Sequence, residues 1–131
     1  MIEINLTLPM PISVNMAYSG LGRRYKSAKY KEWVKAAKDT PNKQYTVSGG
    51  EWLEVSYTFY TPLFYKNGKK KILDVFNYEK VLSDFIAKES TVDGFEDHLI
   101  LKGNVEKIDS PRNEVEVLIR EISIDHLAHQ K

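Results

Sequence analysis

At 131 residues, with 42% hydrophobic and 28% charged side chains, the chain suits one folded domain over 1–131 and leaves little room for extensive disorder. Having no cysteine, it forms no disulfide and offers no thiolate, so a metal would have to be held by oxygen or imidazole, and a reducing compartment is compatible. A net charge of +1 does not by itself announce a nucleic-acid binder, and with no long apolar run and no signal-peptide core the expectation is a cytoplasmic protein with no membrane partner.

Ile2, Ile4, Leu6 and Leu8 alternate with Glu3, Asn5 and Thr7, the period of two that predicts a half-buried first strand over 2–8. Pro9 and Pro11 end it, since neither can donate to a sheet ladder. Residues 13–22 carry Asn15, Tyr18, Ser19, Gly20 and Gly22 and read as a loop. Ser27 is a good N-cap, and Tyr30, Trp33, Val34 and Ala37 then recur at i, i+3, i+4 and i+7, predicting a helix that stops before Pro41. Residues 41–50 are polar and rich in turn formers. Leu53, Val55, Tyr57 and Phe59 alternate with polar or aromatic partners in a second strand, closed by Pro62.

Asn67-Gly68 is a turn signal that predicts a short hairpin or arm, with Lys66, Lys69, Lys70 and Lys71 at its tip. From Val75 to Glu89 a second helix follows, with Tyr78, Val81, Leu82 and Phe85 on one face. At 100° per residue, Asn77, Lys80, Asp84 and Lys88 share a second, polar sector of about 80°. Residues 92–96 read as a loop around Gly94, with Glu96-Asp97 at the start of the strand that follows. Leu99–Ile108 and Glu114–Ile124 are strands joined through 109–113, and the polar tail from Leu127 is expected to fray. No repeat or linker interrupts this order. The prediction is an α+β domain with a mixed sheet and two main helices.

Charge is unevenly placed. Arg23, Arg24, Lys26, Lys29, Lys31, Lys35 and Lys38 face only Glu32, a local +6 that leaves −5 for the rest of the chain. Such asymmetry can present a positive face to a polyanion while the molecule stays near neutral. The alternative is a solvated helix face and a solubilising hairpin tip. Of the aromatic residues interleaved with these cations, Tyr18 and Tyr25 lie in the loop and are the candidates for stacking on bases.

Asp74 stands at the predicted start of the second helix, Asp84 lies further along it, and Glu96-Asp97 follow. If the next strand begins near the helix start, Asp74 and Asp97 could share a magnesium ion, a hard cation that prefers oxygen ligands. Lys80 could then neutralise charge on a phosphate being cleaved. Taken singly, Asp74 is as readable as an N-cap. His98 adjoins the acidic pair as a possible ligand or a partly exposed strand residue. No Gly-rich phosphate loop, catalytic triad order or zinc-ligand spacing is present.

Four collinear motifs carry a resemblance to a known family. Leu8-Pro9-Met10-Pro11-Ile12-Ser13-Val14-Asn15 resembles the Leu-Pro-x-Pro-x-Ser-x-Asn opening of the RusA family of Holliday junction resolvases, small phage- and prophage-associated endonucleases. Gly22-Arg23-Arg24-Tyr25-Lys26-Ser27 is similar to that family's basic segment. Asp74-Val75-Phe76-Asn77-Tyr78-Glu79-Lys80, with Asp84, resembles its D-x-D-N-x-x-K-x-x-x-D signature, and Glu96-Asp97-His98-Leu99-Ile100 its acidic pair before a hydrophobic strand. The resemblance implies that Asp74 and Asp97 are magnesium-binding catalytic carboxylates, with Glu96 as a further metal ligand. It makes Lys80 a catalytic or phosphate-contacting lysine and Asn77 and Asp84 supports of the site. It also implies a homodimer cutting opposed strands of a four-way junction, with Asn15, Arg23, Arg24, Lys26, Lys69, Lys70 and Lys71 binding the branched DNA. Phe76 is the departure: it stands where the signature has its second aspartate, and it cannot ligate a metal or accept a proton. Glu96, Asp93 or Glu79 could substitute from a neighbouring position.

Three readings follow. The first is a magnesium-dependent, structure-specific endodeoxyribonuclease of recombination and repair. The second is a junction-binding protein whose cleavage is weakened or lost through Phe76. The third, a small protein-binding domain with no nucleic-acid role, would require all four motifs to be coincidence.

Overall fold

A computed structural model describes residues 3–11, 18–19, 25–26, 28–40, 42, 45–47, 52–71, 76–89 and 92–122. Its strands are β1 (Glu3–Pro9), β2 (Tyr18–Ser19), β3 (Tyr25–Lys26), β4 (Tyr45–Thr46), β5 (Trp52–Thr61), β6 (Val92–Asp93), β7 (Ile100–Asp109) and β8 (Glu114–Ile122). Its helices are α1 (Ala28–Asp39) and α2 (Phe76–Glu89), and a 3-10 turn spans Asp97–Leu99.

The alternation read from β1 and β5, repeated in β8, is what closes the core. Ile4, Leu6 and Leu8, then Leu53, Val55, Tyr57 and Phe59, then Val115, Val117 and Ile119 all turn to one face of a four-stranded sheet and are buried there. The sheet order is β1-β8-β5-β7. β8 is antiparallel to both neighbours, with Tyr57 opposite Val117 and Leu6 opposite Val117 on its other side, whereas β7 runs parallel to β5 with Tyr57 opposite Val105. This is the expected mixed sheet of an α+β domain. A parallel pair needs a crossover, and α2 supplies it between β5 and β7. Although residues 110–113 are all that separate β7 from β8, β5 lies between them and the two do not pair.

Both helices cover the apolar face. α1 buries Tyr30, Trp33, Val34 and Ala37, the stripe predicted from its spacing. Trp33 joins three elements: its Nε1 donates to the Pro9 carbonyl at 3.1 Å, and its ring meets Phe85 of α2 edge-on with centroids 5.1 Å apart. α2 buries every residue from Val81 to Ile86, a wider contact than the predicted stripe of Tyr78, Val81, Leu82 and Phe85. Asp84 is thereby buried, and the polar sector drawn through Asn77, Lys80, Asp84 and Lys88 is not a uniformly solvated face.

The edges are handled locally. Pro9 is the last residue of an edge strand, where its missing N–H costs nothing. Asn42 pairs with the backbone of Thr7 through two 3.0 Å hydrogen bonds, its amide taking the place of a neighbouring strand. The Asn67-Gly68 turn forms as expected, with Gly68 at φ 85°, Tyr65 N–H donating to Lys69 O at 2.9 Å, and Lys71 N–H donating to Leu63 O at 2.8 Å.

Three short regions expected as loops contain strand pairs. β2 and β3 pair antiparallel within 18–26, and β4 and β6 pair parallel, joining 45–46 to 92–93. Asp97 lies in a 3-10 turn rather than at a strand start. Ser27, the expected N-cap, and the tail from Leu127 lie outside the described residues.

Candidate active site

Helix α2 presents the one pairing among the predicted site residues whose side chains are described. Lys80 and Asp84 are four residues apart, so they fall one above the other, and Lys80 Nζ lies 3.2 Å from Asp84 Oδ1. Asp84 is only 8% exposed while Lys80 reaches solvent, so the lysine compensates a carboxylate drawn toward the core. An ammonium is thus held at the exposed surface of α2 beside a buried carboxylate.

Beside it runs a second chain of polar contacts. Ser83 Oγ donates to Glu79 Oε1 at 2.7 Å, and Tyr57 O–H lies 2.6 Å from the same Oγ. Ser83 has one proton and gives it to Glu79, so the Tyr57 hydroxyl is the donor to Ser83. The relay ties β5 to the first turns of α2, the segment that carries Lys80. Tyr57 and Ser83 carry no chemistry-bearing pattern in the sequence. Only the hydroxyl on an otherwise apolar face at Ser83 could have signalled the contact.

The turn containing Asp97 packs against α2, which brings the backbone of Asp97 to the helix that carries Lys80. The Asp97 and Asn77 side chains, and Asp74 altogether, lie outside what is described. Glu96 is exposed and its Oε2 sits 3.4 Å from His98 Nε2, so the two residues flanking Asp97 face each other. Phe76 opens α2 with 71% of its surface exposed. Of the residues that could stand in for the missing carboxylate, Asp93 is exposed, Glu96 is beside His98, and Glu79 is half-buried and engaged by Ser83. Among the described residues no three carboxylates or imidazoles converge as a metal site. The carboxylate oxygens of Asp93 and Glu96 are the donor type that suits a hard divalent cation; the neighbouring imidazole of His98 is not.

The cationic residues occupy two surfaces. Lys29, Lys31, Lys35 and Lys38 are all exposed on α1. Lys66, Lys69 and Lys70 are exposed on the hairpin, and Lys71, half-buried, lies with Nζ 5.5 Å from the centre of the Tyr65 ring. Lys26 belongs to β3 and Tyr18 and Tyr25 to the β2–β3 pair, their side chains undescribed. Asn15, Arg23 and Arg24 lie outside the described residues.

A family model described as Endodeoxyribonuclease RusA matches residues 9–120. The chain belongs to the RusA family. The matched span starts in the Pro-rich opening, contains the basic segment, both ends of α2 and the acidic pair, and ends within β8. No curated protein matches the chain. Membership of the RusA family accounts for the order of the four motifs, and no helix among the described residues is long and apolar enough to cross a membrane.

Proposed function

We propose that the protein is a magnesium-dependent endodeoxyribonuclease that resolves four-way DNA junctions as a homodimer. The observation that carries this reading is the RusA match across residues 9–120, which takes in every motif on which catalysis would depend. Asp74 and Asp97 are the proposed metal-binding carboxylates, with Glu96 nearby. Bound magnesium would supply a Lewis acid for the phosphodiester and lower the pKa of a water nucleophile. Lys80 would contact the cleaved phosphate, held in place by Asp84, while Asn77 supports the start of α2. The basic surfaces of α1 and the hairpin, with Asn15, Arg23, Arg24 and Lys26, would hold the DNA backbone. A cytoplasmic setting agrees with this reading.

Cleavage of a labelled four-way junction is the test. Magnesium-dependent product is expected from the wild-type chain, with losses of roughly 100-fold or more for Asp74→Asn and Asp97→Asn, the scale of removing a first-rank electrostatic or ligand group. Both variants should still bind the junction. Binding by the wild-type chain with no magnesium-dependent product would overturn the enzyme reading.

A second reading is favoured by Phe76. An exposed aromatic ring stands in the first helical turn where the family signature has a carboxylate, so a junction-binding protein with weak or absent cleavage is the alternative. Phe76→Asp separates the two, because gain of cleavage in an inactive chain would identify the missing ligand.

A further inference from the structure

A groove of about 300 Å³ runs between the 63–71 hairpin and the far end of β7, lined by Leu63, Phe64, Lys70, Lys71 and Lys107. Its lining combines one aliphatic and one aromatic residue with three lysines. The walls are built by backbone pairing. Phe64 and Lys70 face each other across an antiparallel bridge, Lys71 N–H donates to Leu63 O at 2.8 Å, and Leu63 N–H donates to Asp109 Oδ1 at 2.9 Å. The last contact ties the hairpin to β7. Lys107 sits opposite Phe59 in the ladder and therefore projects to the helix-covered side of the sheet, toward the hairpin.

Phe64 is 46% exposed and Tyr65 55%, although burial of an aromatic ring is favourable. Their positions on opposite sides of the hairpin give them different surroundings. Tyr65 lies beneath Lys71, whereas Phe64 offers its ring to the groove.

We infer that this groove seats one nucleotide of a DNA strand whose base is unstacked, the phosphate beside Lys70 and Lys107 and the base against Phe64. The inference rests on the junction-endonuclease reading and adds two residues, Phe64 and Lys107, and a ligand chemistry to it. A cluster of lysines alone would take any polyanion. An open aromatic face beside them selects a planar ring linked to a phosphate, and the volume holds a single such unit, not a duplex. In continuous duplex DNA both faces of every base are already stacked, so the Phe64 ring has nothing to meet. At a branch point, or in a single strand, a base face is free.

The full chain, in calcium in place of magnesium so that DNA stays intact, is titrated with a 12-residue oligothymidylate, a linear duplex, and a four-way junction carrying 2-aminopurine at the branch. Phe64→Ala is expected to weaken oligothymidylate binding about tenfold, the middle of the range for one base–aromatic stack, and to abolish the change in 2-aminopurine fluorescence, while duplex affinity stays within about twofold. Lys107→Gln should lower the salt slope by about one phosphate contact for strand and junction. Phe64→Leu keeps the apolar bulk and removes the π-face, and should behave as Phe64→Ala, which guards against a folding defect. Equal losses for duplex and single strand, no loss from either Phe64 variant, or displacement by polyglutamate as effective as by oligothymidylate would each overturn the inference. Junction cleavage by the wild-type chain that is indifferent to Phe64 would remove the groove and leave the endonuclease reading standing. Phe64-dependent strand binding without cleavage would do the reverse.

Discussion

Ser83 shows how a single buried hydroxyl can orient a site it never touches. It accepts from Tyr57 and donates to Glu79, and both contacts lie at the junction of β5 and α2. Ser83→Ala removes both bonds while leaving the shape of the core almost unchanged. The expected cost is about 1–3 kcal/mol, the range for disturbing buried hydrogen-bonding groups, read as a lower urea midpoint with the m-value unchanged. A midpoint shift within error would show that the relay does not fix α2. Lys80 and Asp84 behave differently. Their pair combines an exposed ammonium with a buried carboxylate, so Lys80→Ala should lower both stability and cleavage, whereas Lys80→Arg retains the charge and most of the stability but aims it differently. If Lys80→Ala lost stability but no cleavage, the lysine would be a partner for Asp84 and nothing more. Phe76→Asp should be nearly neutral in stability because the ring is exposed. A negative charge in the first turn of a helix is favourable, so any gain in cleavage would be attributable to the new carboxylate.

At the scale of elements, what could be read from the chain depended on period and length. The alternation of β1, β5 and β8 and the stripe of α1 run over seven or more residues, and their buried faces are the ones the sequence pattern assigns. β2, β3, β4 and β6 are two residues each, too short for any period, and they pair through backbone groups that leave no trace in side-chain order. The β4–β6 clamp did leave one mark. Gly94 follows it at φ 83°, and a Cβ there would come within 2.9 Å of the Val47 carbonyl oxygen. The turn composition around Gly94 was legible; its need for a bare backbone came from Val47, 47 residues away in the chain, whose N–H donates to Asp93 O at 2.8 Å. Gly94→Ala should therefore cost roughly 1–3 kcal/mol through strain and displacement of that carbonyl. Faster amide exchange at Val47 than at Val117 would mark the loss as local to the clamp, and unaltered exchange there would show that the strain is absorbed elsewhere. For the site, the charged motifs located Lys80 and Asp84. The depth of Asp84 was not legible, because burial of six successive α2 residues depends on how closely the helix lies against β5 and α1.

At the scale of the whole molecule, near-neutral net charge conceals two faces of opposite sign among the described residues. The helix-covered side carries Lys29, Lys31, Lys35 and Lys38 against Glu32 and Asp39 on α1, with the hairpin lysines beyond. The open side of the sheet carries Glu3, Glu54, Glu106, Glu114 and Glu116 against Lys102, Arg112 and Arg120. These charges are tied into short networks. Arg120 bridges Glu3 at 3.2 Å and Glu54 at 3.9 Å, Lys102 meets Glu54 at 3.4 Å, and Arg112 binds Glu116 and Glu114 while stacking on Tyr60. The guanidinium of Arg112 is held above its ordinary range by its hydrogen bonds to Glu116 and then Glu114. A polyanion is attracted to the first face and finds the second negative, with four of its five acids already paired to cations. Lys31→Glu with Lys35→Glu should accordingly weaken junction binding at least about tenfold in 50 mM salt and reduce the slope of log K against log salt by about two, one phosphate contact for each lysine. Glu106→Lys, on the opposite face, should change affinity by less than about twofold. At high salt the double variant and the wild-type chain should converge, since the effect is one of released counterions. Equal responses to the two substitutions would mean that the protein answers only to net charge, and the separation of its faces would then have no part in how it meets DNA.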